Sequence, residues 1–173
     1  MLTKPWFGYK QWVLKAIESR YNDAMKCIIQ RVLNASVTVE ETQIAAIGIG
    51  CVVLLGIEEN DTSDDIAKMV KKITELRIFS NQDGKFDQSL KDINGDLLIV
   101  SQFTLMADCK KGRRPNFLAA APPKKAQKLC DEFIHAAKTA GIGDVQSGAF
   151  GANMQVSLIN DGPVTIPLNS DDI

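Results

Sequence analysis

The chain holds a single histidine, His135, in 173 residues. A Ser-His-Asp or Cys-His site would have to use it. On a helical pattern it falls off the stripe of Ala126, Leu129, Phe133 and Ala137 and toward solvent, which argues against such a site. There is no G-x-S-x-G elbow and no P-loop. The four cysteines, Cys27, Cys51, Cys109 and Cys130, lie far apart with no C-x-x-C pair. That spacing argues against a zinc centre or a thioredoxin-like motif and fits a reducing, cytoplasmic setting. No metal and no organic cofactor are expected. No apolar run reaches the roughly 18 residues of a membrane-spanning helix. Basic excess is missing too: net charge is −1, so this is not a globally basic nucleic-acid binder.

What is present reads as one globular domain. Hydrophobic residues make up 45% and charged residues 24%, proportions that support a sizeable core. Residues 1–24 stand apart, rich in aromatics (Trp6, Phe7, Tyr9, Trp12, Tyr21) and lacking a signal-peptide h-region. They are expected to be an extension outside the fold, with the domain at 25–173. From Lys26 onward strands and helices alternate. Cys27 to Val32, Val37 to Val39, Leu97 to Leu105, Met154 to Ile159 and Val164 to Leu168 read as strands. Cys51 to Ile57, continuously apolar, reads as a strand buried on both faces. Thr62 with Asp65 resembles a capping box, and Ile66, Met69, Val70, Ile73 and Leu76 follow a helical period. Pro122-Pro123 open a second helix, with Gly141 as its expected C-cap. The fold class is α/β, bordering on α+β: a mixed, barrel-like sheet with two main helices packed on one side.

Three segments could carry chemistry. Ser101-Gln102-Phe103-Thr104-Leu105 follows the apolar run Leu97 to Val100. In a continuing strand Gln102 and Thr104 would share one face and Phe103 would point to the core. The residues alone also fit a plain strand end whose hydroxyls bond backbone. Asn160-Asp161-Gly162-Pro163-Val164-Thr165 reads by itself as a tight turn between two strands. Lys110, Lys111, Arg113 and Arg114 form a basic run, followed by Lys124, Lys125 and Lys128, which can meet phosphates or serve as a solvated face.

These segments, taken in order, resemble the D-aminoacyl-tRNA deacylases. The likeness covers Met25 to about Ser170. It includes Gln30-Arg31-Val32, Lys111 to Pro115, Ala119 to Pro123 and Phe150 to Met154. The resemblance implies hydrolysis of D-aminoacyl-tRNA, and of glycine mischarged on alanine tRNA, by a homodimer. It implies that Ser101, Gln102, Phe103 and Thr104 line the site of the 3′-terminal adenosine and its ester. It further implies a cis Gly162–Pro163 bond entering the partner's site as a chiral filter, oriented by Arg31, with Phe150 and Met154 lining the pocket. Thr104 matches a proposed nucleophile. No base adjoins it in sequence, so an N–H of Gln102 or Phe103 is the more economical oxyanion donor, with the substrate's 2′-hydroxyl assisting. Phe86-Asp87 and Met106 depart from the family pattern, and both departures are expected to stay clear of the two signature segments. The alternatives are an editing domain like that of threonyl-tRNA synthetases, or a non-catalytic nucleic-acid-binding module.

Overall fold

The computed structural model describes residues 24–173. The expectation for the N-terminal extension therefore lies outside the described residues, save for Ala24. The longest strands carry the architecture. Strand β1 (Lys26–Val39) pairs along one edge with β3 (Gly50–Gly56) and then with β2 (Thr42–Ile47), both antiparallel. Its other edge pairs along most of its length with β8 (Gln155–Asn169). Beyond β3 the sheet continues in parallel through β6 (Asp96–Ser101) and β7 (Val145–Ser147), giving the order β2-β1-β3-β6-β7. A small ribbon of β4 (Phe79–Ser80) and β5 (Phe86–Gln88) stands beside it.

Alternation divides the core in two. Cys51, Val53, Leu55, Leu97 and Ile99 face the helices, while Val52, Leu98 and Val100 face the other way, into a cluster with Ala45 and Ile47 of the curled β2 end. Helices α1 (Ser63–Glu75) and α2 (Pro123–Lys138) both pack on the first face. Ile66, Met69, Val70 and Ile73 supply one stripe and Leu129, Cys130, Phe133 and Ala137 the other. The Thr62–Asp65 capping box forms: the Asp65 carboxylate accepts the Thr62 N–H at 2.9 Å. The result is the single-domain α/β fold with a mixed, nearly closed sheet and two helices on one side.

Four local expectations need correction. β1 is one strand, not two. Helix α2 ends at Lys138 with Thr139 as its cap, so Gly141, at φ +73°, lies beyond the helix rather than capping it. The strand after Leu97 stops at Ser101, where the chain turns into a 3-10 helix at Phe103–Met106. Finally, Asn160 to Thr165 is no hairpin. Val32 pairs with Asn160 and Gln30 with Thr165, so β8 keeps its direction and bulges opposite Arg31.

Candidate active site

β3 and β6 run parallel and end side by side, with Leu55 opposite Ser101. Carboxyl ends of parallel strands are where such sheets place ligands. The chain leaves β6 sharply. Gln102 sits at φ −143° and ψ 76°, and its N–H donates to the Leu55 carbonyl at 2.7 Å. The Leu105 N–H returns to the Gln102 carbonyl at 3.1 Å. Gly56 permits this turn. A Cβ there would lie 2.9 Å from Met106 Cε, 3.0 Å from Leu105 Cβ and 3.2 Å from the Gln102 carbonyl oxygen.

The turn corrects the strand reading of this segment. Gln102 and Thr104 are not alternate residues of one strand face; the Gln102 amide Nε2 instead donates to the Thr104 hydroxyl. Phe103 points out rather than into the core, with 59% of its surface exposed. Its ring meets Phe117 edge to face, centroids 5.1 Å apart. Because the Gln102 N–H is spent on Leu55, the N–H groups of Phe103 and Thr104 are the free donors of the turn. Among the described residues neither has a hydrogen-bond partner.

A cavity of about 780 Å³ opens at this point. Ser101, Gln102 and Phe103 form one side. Phe150, Gly151, Ala152 and Met154, from the segment leading into β8, form another. The third is Phe117 to Pro123, anchored to the end of β3 by the Ala121 N–H, which donates to the Ile57 carbonyl at 3.0 Å. Phe117 and Leu118 escaped the sequence analysis. Leu118, 85% exposed, has the composition of ordinary core and no motif to mark it. Cys130 reaches the cavity floor, but burial pushes its thiol up to about 11, which leaves it a poor nucleophile. His135 is exposed on the outer face of α2.

The second signature lies elsewhere. The cavity wall includes neither Gly162 nor Pro163 nor Arg31. The Gly162–Pro163 bond is cis, and both residues are exposed. Arg31 is buried behind them, 7% exposed. Its Nε lies 3.0 Å from the Asp161 carboxylate and donates to the Asp161 carbonyl at 3.3 Å, while Nη1 donates to the Ile78 carbonyl at 2.5 Å. Asn160 adds a clamp, its Oδ1 accepting the Val164 N–H at 3.1 Å. Phe86, expected to stay clear of both signatures, touches this one through Arg31: its ring centre is 5.3 Å from the guanidinium carbon. The four basic residues sit in a loop between Asp108 and Asn116. All are exposed, and none is in an ion pair with a described residue.

The family model described as D-Tyr-tRNA(Tyr) deacylase matches residues 28–169. The chain belongs to this family. A D-aminoacyl-tRNA deacylase of Thermosipho africanus is 52% identical over 149 residues, covering 86% of this chain and 99% of the relative. One of Herpetosiphon aurantiacus is 54% identical over 146 residues, covering 84% and 95%. Among solved structures, a "c-Myc DNA Unwinding Element Binding Protein" superposes with TM-score 0.79 at 43% identity, covering 83% of this chain and 97% of that one. A "probable eukaryotic D-amino acid tRNA deacylase" superposes with TM-score 0.74 at 19% identity, covering 84% and 99%, and shares the fold. Like its deacylase relatives, the chain is a hydrolase that cleaves the ester bond of D-aminoacyl-tRNA.

Proposed function

We propose that two copies of the chain form a homodimer in which Gly162-Pro163 of each protomer reaches over the cavity of the other. The observation that carries this reading is the separation just described. Ser101, Gln102 and Phe103 line a cavity, Thr104 follows just outside its wall, and the exposed dipeptide of the same chain stands away from it. Exposed apolar residues on β1 and β8 (Leu33, Val156, Ile159) supply a surface for the second copy. In the completed site the ester carbonyl faces the Phe103 and Thr104 N–H groups, which stabilise the oxyanion. One such donor contributes roughly 3 kcal/mol to the transition state. The substrate's 2′-hydroxyl assists attack: among the described residues no histidine lines the cavity, and its one carboxylate, Glu59, comes from the segment after β3 rather than from the turn. The dipeptide rejects an L side chain by collision and leaves a D side chain directed to solvent. A filter of this kind is blind to D side-chain identity and admits glycine, so glycyl-tRNA mischarged on alanine tRNA is a second substrate. The basic loop holds tRNA phosphates. The work belongs to translation in the cytoplasm, and residues 1–24 are dispensable for it.

Deacylation of matched D-Tyr-tRNA and L-Tyr-tRNA tests the reading, with hydrolysis of the D form alone expected. Sedimentation in parallel should find a dimer; a fully active monomer would sink the shared site. Phe103→Pro removes the N–H at a position where the first residue of a helical turn tolerates proline, and Phe103→Ala removes only the ring. Equal rates for these two variants would discard the oxyanion role. The relative named for binding a DNA unwinding element supports a second reading, that the basic loop also holds DNA. Salt-dependent binding of a DNA duplex, competed by tRNA, is expected if the same loop serves both.

A further inference from the structure

We propose that Phe117 is a positioning residue that couples the basic loop to the N–H groups of the catalytic turn. The inference rests on the oxyanion role of Phe103 and Thr104 given above. Its starting point is how the loop is closed. The Asp108 N–H donates to the Asn116 carbonyl at 2.7 Å, and the Asn116 N–H returns to the Asp108 carbonyl at 2.9 Å. All four basic residues lie between these two bonds. Both legs of the loop then meet the turn. On the first, the Ala107 N–H donates to the Thr104 carbonyl at 3.1 Å, one residue before Asp108. On the second, Asn116 leads into Phe117, whose ring packs on Phe103 at an interplanar angle of 65°.

Phe117 is fixed from the far side. Its carbonyl accepts the Ala120 N–H at 3.0 Å, and Ala120 bridges to Glu58 just past the end of β3. The chain therefore runs from the phosphate-facing loop through one aromatic contact to the residue whose N–H faces the ester. Backbone bonds hold Gln102 and Leu105 on either side of that residue. The Phe103 ring is mostly exposed, and Phe117 is the aromatic partner that steadies it. Load placed on the loop by tRNA reaches the N–H groups through this pair, so Phe117 acts on turnover more than on binding.

Steady-state kinetics on the full chain test this. With D-Tyr-tRNA, Phe117→Ala is expected to lower kcat about tenfold and leave KM little changed, since small misplacement of a catalytic group costs rate rather than affinity. Phe117→Tyr keeps the ring and should restore kcat; Phe117→Leu keeps volume without the ring and should not. With 3′-O-D-tyrosyl-adenosine, which offers no phosphates, the loss should be smaller, so the rate gap between the two substrates narrows in Phe117→Ala. The double variant with Phe103→Ala should be no worse than either single change, because both break one contact. A raised KM with intact kcat, full turnover by Phe117→Leu, an unchanged substrate gap, or additive losses would each overturn the coupling. Should Phe117→Ala fail to fold, the Leu and Tyr pair decides. A loss specific to Phe103→Pro alongside a silent Phe117→Ala removes the coupling alone. Equal rates for Phe103→Pro and Phe103→Ala remove the oxyanion role beneath it.

Discussion

The turn at Ser101 to Met106 and the bulge at Asn160 to Val164 are held in different ways. The turn is held by backbone: its N–H and carbonyl groups bond to Leu55 and to one another, against the bare face of Gly56. The bulge is held by side chains: Arg31 from β1 grips Asp161, Asn160 clamps Val164, and Phe86 covers Arg31. A segment positioned by its backbone tolerates changes in its side chains. A segment positioned by side chains fails when one of them shifts. On the roles proposed above, the turn should therefore be the more forgiving half of the site, apart from its Phe103–Phe117 contact, and the bulge the more brittle half.

Gly162→Ala should show the largest effect. The residue sits at φ +114°, and its new methyl would lie 2.9 Å from Arg31 Nη2 and 3.0 Å from Val164 Cγ2. Overpacking of this kind costs roughly 1–3 kcal/mol, about tenfold or more in rate. D-Tyr-tRNA hydrolysis should fall accordingly while L-Tyr-tRNA stays intact. Untouched D activity would erase the contrast between bulge and turn, and rapid L hydrolysis would move the filter elsewhere. Next comes the loop. Replacing Lys110, Lys111, Arg113 and Arg114 together by Ala should weaken tRNA binding and flatten log K against log salt by up to about 0.9 per lost duplex phosphate contact. An unchanged slope would make the loop a solvated surface.

Thr104→Ala sharpens the comparison from the turn's side. It removes the hydroxyl that accepts from Gln102 and leaves the backbone in place. Activity should drop less than tenfold, whereas loss of a nucleophile costs several orders of magnitude. Trapping an acyl-enzyme on Thr104 would reverse that assignment. Asp61→Asn should change activity least, because Asp61 belongs to neither region. Burial pushes its carboxyl up to about 7, over the opposing pull of the Glu58 N–H, and the charges of Glu58 and Asp65 add to the rise. The folded state then binds more protons than the unfolded state between about pH 4 and 7, so stability falls as pH rises through that window. Melting curves should show Asp61→Asn gaining stability above pH 7 and losing this slope. A slope unaltered by the substitution would assign it to another group.

Local rules that depend on neighbours in sequence were legible. The capping box at Thr62, the helical stripe after it, the Pro122-Pro123 start of α2 and the doubly buried β3 all follow from spacing alone. What escaped depends on partners far along the chain. Phe103, Leu105 and Met106 extend the apolar run of β6, so nothing local says that it stops; the stop is made by Leu55 accepting the Gln102 N–H. Asn-Asp-Gly-Pro has turn composition, yet both flanks pair with one strand, because Arg31 fills the gap opposite. Phe86 differs from the expected residue without a polar signal, and its ring finds Arg31 only in three dimensions. The resemblance singled out both segments, whereas the way each is held was not legible from it.

β1 is paired along one edge with strands close behind it in sequence and along the other with β8, where Cys27 meets Leu168 and Val37 meets Val156. During synthesis the first edge can close early, but the second must wait for nearly the whole domain to emerge. Until then β1 offers an open row of N–H and carbonyl groups, the kind of edge that recruits stray strands. Contacts of such long sequence separation also form slowly. The bulge with Gly162-Pro163 is carried on that last strand, so the strand that seals the sheet also delivers the proposed filter. A chain stalled or clipped before β8 would therefore be left with an adhesive edge and, in the proposed dimer, with no dipeptide to offer its partner's turn. Quality control of tRNA thus depends here on completing the protein that performs it.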